Sequence, residues 1–179
     1  MKVLAFKLVA TLAVGVALAW PFLQSDGGVL DEVHQLGVGP TVGIAAAFLF
    51  AVWLYARTLV RSLELVPPPL RAATPRSVWW MFVLPYNFVE DFFIVHHVEK
   101  SLTAALPAHR ARLGAVTGYG WCAAQIASLV PHRVAVIPSA VALVLWIIHW
   151  LNVSRANAQL RTRAVAPRET PSAPVVTPR

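Results

Sequence analysis

The chain has 179 residues, of which 58% are hydrophobic and only 13% charged, with a formal net charge of +7. A soluble domain carries roughly twice that charged fraction, so an integral membrane protein of at most one domain is predicted. The arginines cluster near the ends of apolar runs, which fits topology signals and anionic-lipid contact and argues against nucleic acid, and the lone Cys122 excludes an internal disulfide and a cysteine-based zinc site.

The first predicted span covers residues 3–23, with Lys2 and Lys7 before the apolar run and Trp20 at its far end. A cleaved signal peptide is the alternative, with Ala17-Leu18-Ala19 as a small-residue site. The retained anchor is preferred, because the apolar run is long for a signal and continues past it. Gln24 to Gly37 is a polar loop with Asp26, Asp31 and Glu32 but no lysine or arginine, which assigns it to the translocated side.

The second predicted span covers residues 38–60. Gly39, Gly43, Ala47 and Ala51 repeat every four residues and form a small-residue stripe suited to close helix approach. Trp53 and Tyr55 read as an interfacial belt at its inner end, followed by Arg57 and Arg61. The linker Glu64 to Arg76 contains a triple proline that cannot continue a helix, and its arginines make it cytoplasmic.

Ser77 to Leu106 is the unusual stretch. Trp79 to Val89 gives about eleven apolar-dominated residues where a span needs roughly 20. Pro85 interrupts it, and Glu90 and Asp91 follow. Arg71 and Arg76 precede it and Arg110 and Arg112 follow it, so a single crossing would place one basic pair outside. Residues 77–106 are therefore predicted to be re-entrant or interfacial, with the charged half at the headgroups as an amphipathic helix.

Spans at residues 113–130 and 134–153 complete a predicted all-α polytopic bundle of four crossings, joined by an outer turn at Pro131-His132-Arg133. Gly120, Ala124 and Ser128 make a second small stripe. Trp146 and Trp150 extend the inner aromatic belt. Residues 157–179, rich in proline, arginine and small side chains, read as a disordered cytoplasmic tail. Both termini are then cytoplasmic.

Two stretches resemble the bacterial membrane proteins of the domain of unknown function 4328 family. Phe50-Ala51-Val52-Trp53-Leu54-Tyr55-Ala56-Arg57 is similar to that family's F-x-x-W-L-Y-x-R span ending. Trp80 to Val89, through Pro85 and Asn87, is similar to its tryptophan, proline, asparagine signature. Glu90-Asp91-Phe92-Phe93 stands where the family usually has a second proline. The resemblance implies an architecture in a bacterial inner membrane and carries no activity with it.

The richest polar cluster is Asn87, Glu90, Asp91, His96, His97, Glu99 and Lys100. On a helix Glu90 and His97 share a face, about 20° apart, and could hold a metal. His97 and His149, on separate helices, could ligate a haem. A metal- or haem-binding redox protein using Glu90, His97 and His149 is one alternative, and a small channel or transporter is another. No G-x-S-x-G, H-E-x-x-H or phosphate-binding glycine loop occurs. The leading expectation is a non-enzymatic scaffold or accessory subunit without cofactor. Its partners would be the bilayer with its anionic lipids and other membrane proteins or further copies of itself.

Overall fold

The computed structural model describes residues 2–23, 37–106, 111–129 and 136–165. The outer loop, the turn at Pro131-His132-Arg133, His109, Arg110 and the tail after residue 165 lie outside them. The described chain is all-α, without strands. The helices are α1 (Lys2–Leu23), α2 (Val38–Leu65), α3 (Asn87–Ala105), α4 (Ala111–Ala127) and α5 (Val136–Val165). Two 3-10 segments, Pro68–Leu70 and Pro75–Phe82, lie between α2 and α3.

Two helices, α2 and α5, are long and apolar enough to cross a membrane. At 1.5 Å per residue their 28 and 30 residues reach about 42 and 45 Å, beyond a hydrocarbon core of about 30 Å. The apolar stretch of α1, Val3–Ala19, is shorter, and α4 has 17 residues. Among the described residues, four full-length spans are therefore not seen.

Both long helices overrun their expected ends. α2 continues past residue 60 because Leu63 and, beyond its end, Val66 are buried. The chain stops at the prolines, where the Arg71 guanidinium donates to the carbonyls of Val66 and Glu64 at 2.7 and 2.9 Å, satisfying the groups a helix end leaves open. α5 runs to Val165, so residues 157–165 are helix and not the start of a tail. Packing against α2 orders them: Leu160 is buried, and the Asn157 amide donates to the Thr58 carbonyl at 3.0 Å.

Residues 77–106 fold as two limbs around a turn at Pro85. The first limb is the 3-10 segment and the second is α3. The Ala72 N–H donates to Ser101 Oγ at 2.9 Å, so the segment ends beside where it began. Its tip reaches α1, where a Cβ on Gly15 would sit 3.4 Å from Pro85 Cγ. The expectation of charges at the headgroups is overturned for the second limb. Glu90, Asp91 and Glu99 are all buried, and α3 packs against α1, α2, α4 and the 3-10 segment.

The packed core takes in Tyr55 to Val66 of α2 and its end, Ile94 to Leu106 of α3 and its end, Trp121 and Cys122 of α4, and Ala142 to Leu160 of α5, with Val78 and Met81 of the 3-10 segment. The first turns of α2 stand clear of the other described helices, since a Cβ on Gly39 or Gly43 would meet nothing within 4 Å, whereas those of α5 pack along α4. Only 6% of the most apolar window of α2 is buried.

Candidate functional site

Tyr55 is the hub of the bundle. It is fully buried and meets the rings of Trp121, Trp146, His149 and Trp150 edge-on, with centroids 5.5 to 6.1 Å apart. Edge-to-face contact sets the positive rim of one ring against the negative face of another. The expected interfacial belt is thus divided. Tyr55, Trp121 and Trp146 are core residues, while Trp53, Trp79 and Trp80 remain exposed. The half-buried Trp150 donates its indole N–H to Thr58 Oγ1 at 3.0 Å, tying α5 to α2.

Next to this hub is a cavity of about 400 Å³. Helical periodicity assembles its wall, with Phe48, Val52 and Tyr55 on α2, Asn87 and Asp91 on α3, Trp121 and Gln125 on α4, and Ala142 and Trp146 on α5. Phe82 and Leu84, beside the turn at Pro85, complete the lining. Most of the wall is apolar, yet Tyr55 OH, Asn87 Oδ1, Asp91 Oδ1, Gln125 Oε1 and Trp146 Nε1 are buried without a hydrogen-bond partner among the described residues. Buried polar atoms are normally bonded, so such a concentration around one apolar cavity calls for partners from outside the described residues, whether water or a bound molecule.

A second buried polar group lies deeper along α3. His149 Nδ1 lies 3.1 Å from the Gly114 carbonyl and 3.8 Å from Glu99 Oε1. Two glycines permit it. A Cβ on Gly114 would overlap the Glu99 carboxylate, and one on Gly118 would overlap Val95 and come within 3.1 Å of the His149 ring. Bulk at either position would push α3 and α5 away from α4. This Gly114/Gly118 pair at i, i+4 was missed in the sequence, where the eye follows Gly120, Ala124 and Ser128. Those also face neighbours: Gly120 lies against Leu145, Ala124 packs on the core and Ser128 lines the cavity. Gly39 and Gly43 have nothing within 4 Å, and Ala47 is exposed. The α2 stripe therefore packs on the described chain at Ala51, which lies against the core, and not at Gly39 or Gly43.

Glu90, His97 and His149 do not converge. Glu90 pairs with Lys7, whose ammonium also lies 3.3 Å from Tyr86 OH and 4.0 Å from the centroid of Phe93. His97 is two residues from Glu99 and so about 200° around α3, on the side turned from His149. Its ring neighbours His96, and partial burial together with that neighbour lowers its pKa from the usual imidazole value. Among the described residues no group of three or more histidine, cysteine, aspartate or glutamate side chains is placed to hold a metal.

Beyond the cavity, Arg57, Arg61 and Arg161 line an open groove of about 670 Å³ between α2 and α5. The two family-like stretches supply both places. Tyr55 and Asn87 border the cavity, whereas Trp53 and Arg57 border the groove. Trp80 and Pro85 belong to the 3-10 limb and the turn that follows it. Comparison with protein-family models, with characterised proteins and with solved structures finds no match for this chain.

Proposed function

We propose that this chain is a non-enzymatic, multi-pass membrane protein that holds a small amphipathic molecule between its re-entrant segment and its spans, as an accessory subunit of a membrane assembly. The cavity carries this reading, because it joins an apolar wall to five buried polar atoms without partners. In this reading α1, α2, α4 and α5 are the four crossings in a bacterial inner membrane, with both termini cytoplasmic. Residues 77–106 enter from that side and return to it. The Ala72 to Ser101 bond at the base and the Pro85 to Gly15 contact at the tip support the return. The Lys7–Glu90 pair supports retention of the first helix, since cleavage would strip Glu90 of its cation. The two stretches resembling the 4328 family would then be the walls of the binding site. The bare apolar faces would meet lipid and partner subunits, and the arginine groove would lie at the anionic inner surface.

The test has two arms. Impermeant thiol reagent, applied to intact cells after removal of Cys122, should leave cysteines at Arg76, Thr103 and Ala164 unlabelled and should label one at Val136. Extraction of the protein in native-lipid discs should yield a small molecule in proportion to protein from the wild type and not from Ser128→Phe, which fills the cavity. Labelling of Thr103 from outside would refute the re-entrant topology. Identical extracts from the two proteins would refute the binding site.

A further inference from the structure

We infer that the molecule held in the cavity is a lipophilic primary ammonium ion, its head beside Asp91 and its alkyl chain along the apolar wall. This rests on the ligand-binding reading above and narrows it to one chemistry. Asp91 is 3% exposed. No lysine, arginine or histidine lines the cavity, and the adjacent Glu90 already engages Lys7. An ionised carboxylate removed from water is very costly when alone, and it is neutralised either by a proton or by an arriving cation. An anionic ligand would set like charge against it with no compensating cation.

The orphan atoms sharpen the choice. Asp91 Oδ1, Asn87 Oδ1 and Gln125 Oε1 are acceptors, and Tyr55 OH can accept as well. A primary ammonium offers three donors, whereas a hydroxyl offers one and a quaternary ammonium none, so the primary ammonium matches a set in which Trp146 Nε1 alone can only donate. The rings of Tyr55, Trp121 and Trp146 in the same wall attract a cation through their quadrupoles. Phe48, Leu49, Leu84 and Leu143 give the lining a hydrocarbon face, which suits an unbranched chain.

The experiment uses full-length protein in phosphatidylcholine nanodiscs, titrated with octylamine, octyltrimethylammonium, octanol and octanoate, with tryptophan fluorescence and thermal midpoint as readouts. Octylamine should bind at least about tenfold more tightly than octanol, as hydrogen bonds to charged groups are the stronger kind, and octanoate should not bind. Asp91→Asn should reduce octylamine to the level of octanol while leaving octanol unchanged. Gln125→Leu, an independent variant should Asp91→Asn fail to fold, should weaken octylamine selectively. Equal binding of octylamine and octanol would overturn the ammonium assignment and leave the binding site standing. Octyltrimethylammonium binding as tightly as octylamine would overturn the primary amine. Failure of all four probes would sink both readings together.

Discussion

The two halves of α2 differ more than their shared apolarity suggests. From Val38 to Phe50 every side chain except the half-buried Thr41 is exposed. From Tyr55 onward Ala56, Leu59, Ser62 and Leu63 are buried at helical spacing, while Arg57, Arg61 and Glu64 line the groove on another side. The first half is apolar nearly all round and meets its neighbours at its end, where Phe48 faces the Trp146 ring at 6.2 Å and Leu49 lines the cavity. The second is amphipathic and carries the core. Periodicity thus marks the part of the helix that meets protein. The cavity sits at the junction, where Phe48, Val52 and Tyr55 pass from one regime to the other.

The sharpest way to break this comparison is to remove bulk from each half. Tyr55→Ala should cost about 3–5 kcal/mol of stability in detergent, the usual loss for a large buried aromatic, whereas Phe50→Ala should cost almost nothing. Comparable losses would mean that the projecting half is packed after all. Charge probes the same contrast from the lipid side. Ile44→Arg should raise the insertion free energy of α2 by roughly 2–3 kcal/mol, read in a membrane-insertion assay, because Ile44 is 63% exposed. Unchanged insertion would place water, not lipid, around that half.

Added bulk gives a smaller effect. Gly118→Leu should destabilise by about 1–3 kcal/mol through overpacking against Val95 and His149, and Gly43→Leu should leave thermal stability in detergent unchanged. The smallest change sharpens the boundary itself. Trp150→Phe keeps the ring but loses the bond to Thr58, for about 0.5–1.5 kcal/mol, measurable as a modest fall in melting temperature.

Much of the fold was legible from residues 77–106. Pro85 predicted an interruption there, and the chain turns at it, with Ala72 bonded to Ser101 beyond the turn. The cavity was not legible. Asn87 and Asp91 were singled out, but Tyr55 and Trp146 read as interfacial belt. Aromatic residues near arginines look alike whether they touch headgroups or each other, and only the neighbouring helix distinguishes them.

By itself, then, the amino-acid order determined the helices and their interruptions. Apolar run length, proline and the spacing of small residues act within one segment, through backbone geometry and the cost of unpaired peptide groups. Which faces are inside was decided by tertiary structure alone. Gly39 and Gly43 match Gly114 and Gly118 in spacing, yet the first pair meets open space and the second pair admits Glu99, Val95 and His149. In a chain apolar on nearly every side, burial follows from which helix approaches, and that is set by contacts between residues far apart in sequence.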